Sequence, residues 1–137
     1  MAEFTIHTLE SAPEAAKPTL RAATQKFGFL PNLLGELASA PAALEAYVTL
    51  GRLLEQTSLR PAEQQLVLAT ASVANGCQYC VAAHSGGLRM TGVEKEQIEA
   101  VRQGRTLSDT RLEALRKFVT AVVEQRGHVS DEEVRAF

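Results

Sequence analysis

Cysteine is scarce in this sequence, which has only Cys77 and Cys80 among its 137 residues. A chain of this length has room for one domain and can bury a hydrophobic core without cross-links. Its apolar content of 45% and charged content of 22% exclude a disordered or fibrous chain. We therefore expect a single globular domain over residues 1–137.

Basic charge and long apolar runs are lacking as well. The 14 lysines and arginines are outnumbered by 16 acidic residues, which gives a formal net charge of −2. Without a basic surplus to neutralise phosphates, the sequence predicts no nucleic-acid partner. No apolar run approaches the ~20 residues that cross a bilayer, and the acidic first residues do not resemble a signal peptide. We expect a cytoplasmic protein with no membrane partner.

Strand-type alternation, internal repeats and low-complexity segments are also absent, whereas apolar residues recur at helical spacing along most of the chain. The pattern predicts an all-α fold. The expected helices lie at about residues 13–27, 31–38, 41–54, 61–74, 77–90, 94–103, 109–126 and 131–137. The last of these helices begins with a capping box but is very short, which predicts a chain truncated at its C-terminus.

Several helix boundaries are predicted from capping residues. Ser39 precedes Pro41, a pairing typical of a helix start, and Ser108 is expected to cap the long helix that follows. Ser130 and Glu133 have the spacing of a capping box. Gly86 and Gly87 interrupt the helix at 77–90, which predicts a kink or a close contact with another helix.

The residues that carry chemistry lie at the start of that helix. Positions three and four apart share a helix face, so Cys77, Cys80 and His84 are expected to line up on one side. Unpaired amides and the helix dipole at an N-terminus favour a thiolate. His84 lies one turn beyond Cys80, close enough to take its proton or to hold a bridging water. Such a dithiol can attack a peroxide and condense the resulting sulfenic acid to a disulfide.

Other interpretations of the two cysteines are weaker. A structural disulfide would close a very small loop. A zinc site would use Cys77, Cys80 and His84 but lacks a fourth ligand, and Val81 stands where covalent haem attachment requires histidine. A thioredoxin fold needs strands around its C-x-x-C, and none is predicted. The interpretation as inert core cysteines with a satisfied histidine does not explain why all three residues share one helix face. No metal or other cofactor is expected.

Two segments carry a resemblance to a known family. LRPAEQQLVL at residues 59–68, followed by NGCQYCVAAHS at 75–85, resembles the alkylhydroperoxidase D / carboxymuconolactone decarboxylase family. The similarity extends loosely to residues 29–33 and 41–47. It implies an alkylhydroperoxidase D-like helical bundle, with the C-x-x-C at the N-terminus of a core helix.

The resemblance also implies an activity and partners. It implies a thiol-dependent peroxidase, a peroxiredoxin-type oxidoreductase in which Cys80 attacks the hydroperoxide, Cys77 resolves and His84 relays protons. A dihydrolipoyl-bearing or thioredoxin-like protein would restore the dithiol. It further implies a homotrimer or homohexamer. The many apolar stripes of so short a chain independently favour burial between subunits.

One departure from the family leaves alternatives open. The redox branch commonly has glutamate where this chain has Gln65, and a glutamine cannot accept a proton. Glu63 lies on a different face of the helix and is a poor substitute. A redox-sensing or dithiol–disulfide exchange module without efficient peroxide turnover is therefore the second hypothesis. A carboxymuconolactone decarboxylase-like enzyme using His84 as a base is the third.

Overall fold

The computed structural model describes residues 4–137. This part of the chain contains eight α-helices and no β-strand, which confirms the all-α prediction. The helices are α1 (Lys17–Phe27), α2 (Asn32–Leu37), α3 (Pro41–Glu55), α4 (Pro61–Ala74), α5 (Gln78–Met90), α6 (Lys95–Arg102), α7 (Thr110–Glu124) and α8 (Asp131–Ala136).

The chain forms two compact units, one ending at Gln56 and the other spanning Thr57–Phe137. The first unit contains α1 to α3 and has a small core of its own. The buried side chains of that core are Ala12, Ala16, Leu20, Ala23, Leu34, Ala38 and Leu44.

The second unit is built around α4, which packs against α5, α6 and α7. These helices enclose the larger hydrophobic core of the molecule. Its buried members are Leu66, Ala69, Leu88, Ile98, Ala100, Val101, Leu107, Leu115 and Val119. Burying a side chain such as Leu66 contributes about 1.5–3 kcal/mol, so this core holds α4 and α5 in a defined relation.

A buried carboxylate anchors the first turn of α4. Glu63 is 1% exposed and accepts hydrogen bonds from the backbone N–H of Arg60 at 2.7 Å and from the Arg60 guanidinium. Arg111, on α7, donates to the same carboxylate. The hydrogen bonds from Arg111 and Arg60 lower the pKa of Glu63 to about 2. The charge therefore ties the start of α4 to α7.

One predicted helix start and two predicted caps differ from those observed. The first helix begins at Lys17 rather than Pro13, because residues 13–16 form a turn in which the Ala16 N–H donates to the Pro13 carbonyl. The prediction that Ser39 caps α3 is wrong, since the N-cap is Ala40 and makes no side-chain bond.

The predicted cap of α7 is also displaced by one residue. Asp109 is the N-cap, and its carboxylate accepts from the Leu112 N–H at 2.9 Å. Ser108 instead accepts a hydrogen bond from the Gln97 amide. The capping box of Ser130 and Glu133 at α8 is confirmed.

Candidate active site at the start of helix α5

A three-residue connection places the first cysteine at the N-terminus of α5. Asn75 ends α4, Gly76 turns the chain with a φ of 66°, and Cys77 is the N-cap of α5. The Cys77 N–H donates to the Ser72 carbonyl at 2.9 Å, which fixes the connection against the last turn of α4. The prediction that this helix begins at or near Cys77 is confirmed.

The two cysteines are joined as a disulfide in the first turn. Their Cα atoms are 5.3 Å apart and their sulfurs are bonded. The backbone N–H of Cys80 donates to the Cys77 sulfur at 3.3 Å. An N-cap side chain that accepts such a bond satisfies one of the orphan amides of the helix, and a thiolate accepts it more strongly than a neutral sulfur does. Both residues are partly exposed.

His84 lies one turn after Cys80 on the same helix and is half-buried. Its Nδ1 atom is 3.1 Å from the Oε1 atom of Gln65, which projects from α4. Burial lowers the pKa of His84. It therefore favours the neutral imidazole, which is able to accept a proton.

Among residues 4–137, no carboxylate is hydrogen-bonded to this histidine. Its hydrogen-bond partner is the neutral amide of Gln65, whereas Glu63 is held by Arg60 and Arg111. The expectation that Glu63 is a poor substitute for a carboxylate at the Gln65 position is confirmed. The site thus combines a disulfide-bonded pair of cysteines with a histidine whose partner, the Gln65 amide, is uncharged.

The structure gives no metal-binding constellation within residues 4–137, where no three His, Cys, Asp or Glu side chains are grouped to hold an ion. The two sulfurs that a zinc site would use are bonded to each other. Over the same residues, no helix has both the length and the apolar character to cross a membrane.

One cavity of the second unit has a volume of about 170 Å³. Residues of α4 and α7 make up most of its wall, among them Thr70, Val73, Arg116 and Thr120. Neither cysteine nor His84 lines this cavity. Both cysteines are partly exposed to solvent.

The fold and the site define an all-helical protein with a C-x-x-C disulfide at the start of a core helix and a histidine one turn later. Residues 41–124, more than half of the chain, match the carboxymuconolactone decarboxylase family. The chain belongs to this family, and the resemblance noted in the sequence is confirmed.

Two solved structures share this fold. One is the alkylhydroperoxidase AhpD core, an uncharacterized peroxidase-related protein from Ralstonia eutropha JMP134, with a TM-score of 0.85 and 23% identity. The match covers 97% of this chain and 72% of that protein. An uncharacterized peroxidase-related protein from Silicibacter sp. TM1040 has a TM-score of 0.79 and 20% identity, over 98% of this chain and 74% of its own. A comparison with curated proteins gives no match.

Proposed function

We propose that this protein is a thiol-dependent peroxidase that reduces hydroperoxides with the Cys77–Cys80 pair. The observation that carries the proposal is the closure of the two cysteines into a disulfide in the first turn of α5, one turn before a half-buried histidine. A vicinal dithiol of this kind cycles between thiol and disulfide, and a neighbouring base supplies the thiolate that attacks.

The oxidative half of the cycle needs two steps. In the first, neutral His84 takes the proton of the Cys80 thiol, and the thiolate attacks the terminal peroxide oxygen. The O–O bond breaks, Cys80 becomes a sulfenic acid, and the alkoxide leaves as an alcohol with the proton held by His84. In the second, the Cys77 sulfur attacks the sulfenic sulfur, and water leaves as the disulfide forms.

The reductive half restores the dithiol. A partner dithiol, carried by a lipoyl-bearing or thioredoxin-like protein, gives two electrons and two protons to the disulfide and becomes a disulfide itself. Such partners act in the cytoplasm, where we place this protein. The partial exposure of both cysteines supports reduction by a protein, because a second macromolecule can approach them.

The comparisons support this proposal at the level of the class. The two solved structures are described as peroxidase-related, and they share the fold with this chain. The family name also refers to a decarboxylase. A decarboxylase, however, does not use a disulfide-forming pair of cysteines. Activity that survives alkylation of both thiols would favour that third function.

One observation favours a second candidate function, a dithiol–disulfide exchange or redox-sensing module with little peroxide turnover. His84 is held by the Gln65 amide, which can orient the ring but cannot accept a proton. A stable disulfide that forms with peroxide, but no steady-state turnover with any dithiol donor, would favour this candidate.

We also propose a homo-oligomer, a trimer or hexamer. Three large apolar side chains of α3 are between 47% and 67% exposed in the single chain, namely Tyr47, Leu50 and Leu53. Their spacing places them on neighbouring positions of one helix, and contiguous apolar surface is typical of protein interfaces.

Steady-state reduction of an alkyl hydroperoxide with dihydrolipoamide tests the peroxidase proposal. Cys80→Ser should abolish turnover, and Cys77→Ser should allow a single turnover that stops at the sulfenic acid, which a dimedone probe traps. Tyr79→Phe is the matched control, since it changes the exposed residue between the cysteines without touching a sulfur. Unchanged rates in both serine variants would contradict the proposal, because the chain has no other cysteine.

A further inference from the structure

Gly87 lies three residues after His84 on α5, directly beneath the side chain of Gln65. A Cβ atom added at Gly87 would lie 2.1 Å from Oε1 and 2.5 Å from Cδ of Gln65. Such distances are impossible for non-bonded atoms, so any side chain at this position would displace the Gln65 amide. The adjacent Gly86 has open space around the same position, with nothing within 4 Å of an added Cβ.

The displaced group is the one that contacts the histidine. The Gln65 Oε1 atom that an alanine at position 87 would strike is also the atom 3.1 Å from His84 Nδ1. An amide oxygen only accepts hydrogen bonds, so Nδ1 must carry the proton in this contact. In a neutral imidazole with Nδ1 protonated, Nε2 has a free lone pair.

We propose that Gly87 is a positioning residue, whose missing side chain lets the Gln65 amide reach His84 and hold the ring in the Nδ1–H tautomer with Nε2 as proton acceptor. The inference rests on the proposed function for its purpose, since an Nε2 lone pair is what takes the Cys80 proton. It assigns Gln65 the task of orientation, in place of the charge that a carboxylate would bring.

Nuclear magnetic resonance on the ¹⁵N-labelled disulfide form tests the inference directly. Long-range correlations between ring protons and ring nitrogens distinguish a protonated from an unprotonated nitrogen at about pH 8, where the imidazole is neutral. The His84 signals are assigned by their loss in His84→Gln, because the chain also contains His7 and His128. We expect a protonated Nδ1 and an unprotonated Nε2.

Two variants should remove the preference of His84 for the Nδ1–H tautomer, and one should keep it. Gly87→Ala and Gln65→Leu should each lower the ratio of the Nδ1–H to the Nε2–H tautomer by about fivefold, the effect of losing one ordinary hydrogen bond. Gly86→Ala is the matched control and should leave the ratio unchanged. If Gly87→Ala does not fold, Gly87→Ala combined with Gln65→Ser should fold, because the shortened side chain removes the overlap, and should lack the preference.

Three results would overturn the inference. The wild-type ring could carry its proton on Nε2, Gly87→Ala could retain the wild-type ratio, or the double variant could fail to fold, which would place the overlap elsewhere. These measurements need neither peroxide nor reductant. A protein without peroxidase activity can therefore still have the tautomer, and an active peroxidase can fail to have it.

Discussion

The Oε1 atom of Gln65 lies 3.1 Å from Nδ1 of His84, so the histidine beside the dithiol is paired with an uncharged group. A carboxylate in the same place would stabilise the imidazolium and raise the pKa of the ring. With an amide there, burial alone acts and lowers that pKa. The ring is therefore deprotonated over more of the physiological pH range and has less tendency to hold a proton.

Replacing Gln65 by glutamate should reverse this balance. The added negative charge favours the imidazolium, so the pKa of His84 should rise in Gln65→Glu, and a relay that can pass the proton onward should raise peroxidase turnover. The histidine titration followed by magnetic resonance and the pH profile of kcat/KM measure the two effects. Gln25→Glu adds the same charge at an exposed position of α1 and should do neither. A flat response of turnover would count against a relay through position 65.

Reduction of the disulfide should release Cys77 as the thiolate and leave the incoming thiol on Cys80. The incoming thiol attacks one sulfur and the other leaves as a thiolate, and the better-stabilised thiolate leaves faster. The Cys77 sulfur already accepts the Cys80 N–H at 3.3 Å at the N-cap. Brief treatment of the oxidised protein with limiting glutathione, followed by alkylation and peptide mass spectrometry, should therefore find glutathione on Cys80 and the alkyl group on Cys77. Glutathione mainly on Cys77 would contradict this assignment.

The Glu63 charge should make stability depend on acid pH. Its pKa is about 2 in the folded chain, against an ordinary value of 4.5, so the folded state binds its proton less readily than the unfolded state. The contribution is complete above about pH 4.5 and is lost as pH falls towards 2. Glu63→Gln should cost about 1–3 kcal/mol at neutral pH and much less near pH 2, as measured by denaturant unfolding.

The control for that experiment is an exposed ion pair. Glu99 lies 3.8 Å from Arg102, and both side chains are about half-exposed. Glu99→Gln should change stability by less than about 0.5 kcal/mol at either pH. Equal effects of the two substitutions would mean that burial of Glu63 does not increase its contribution to stability.

The two neighbouring glycines of α5 should respond differently to alanine. Gly86→Ala meets no neighbour within 4 Å and reduces the freedom of the unfolded chain, so it should stabilise the protein by about 0.5–1 kcal/mol. Gly87→Ala brings the same gain but displaces the end of the Gln65 side chain and its hydrogen bond to His84, so it should be less stable than Gly86→Ala by about 1 kcal/mol. Thermal and denaturant unfolding measure both. Equal stabilisation by the two substitutions would show that Gln65 yields without cost.

The mass of the protein in solution tests the proposed assembly. Light scattering coupled to size-exclusion chromatography should give a multiple of 14.8 kDa at micromolar concentration, most simply three or six chains. Because the exposed side chains of α3 are apolar, the assembly should persist in high salt, which screens charged contacts but not hydrophobic ones. A mass of one chain would contradict the proposal.

Much of the helical framework follows from local sequence. Pro41 and Pro61 begin helices where predicted, because proline at a first helical turn loses no hydrogen bond. The start of α1 was harder to place, since the turn at residues 13–16 is decided by contacts within the first unit's core, to which Ala12 and Ala16 contribute. Ser108 and Asp109 are adjacent capping residues, and sequence does not distinguish which side chain will reach the Leu112 N–H.

The positions of the site residues on α5 follow from the sequence, whereas the contact between α4 and α5 does not. Helical spacing places Cys77, Cys80 and His84 on successive turns of one helix, and the structure has them there. The contact between Gln65 and His84 joins two helices, and its distance depends on how closely α4 and α5 approach. The paired glycines predicted a kink or a close helix contact, and the structure identifies Gly87 as the residue in close contact and Gly86 as open.

The short connection fixed by the Cys77 N–H and the Ser72 carbonyl has a further consequence. It makes α4 and α5 a helical hairpin in which Gln65, Cys77, Cys80, His84 and Gly87 all lie within residues 65–87. The histidine, its amide partner and both sulfurs thus lie together in one segment. A chimera that transfers this segment to a related helical hairpin would transfer the whole proposed redox unit, whereas a break in the hairpin would separate the histidine's partner from the sulfurs.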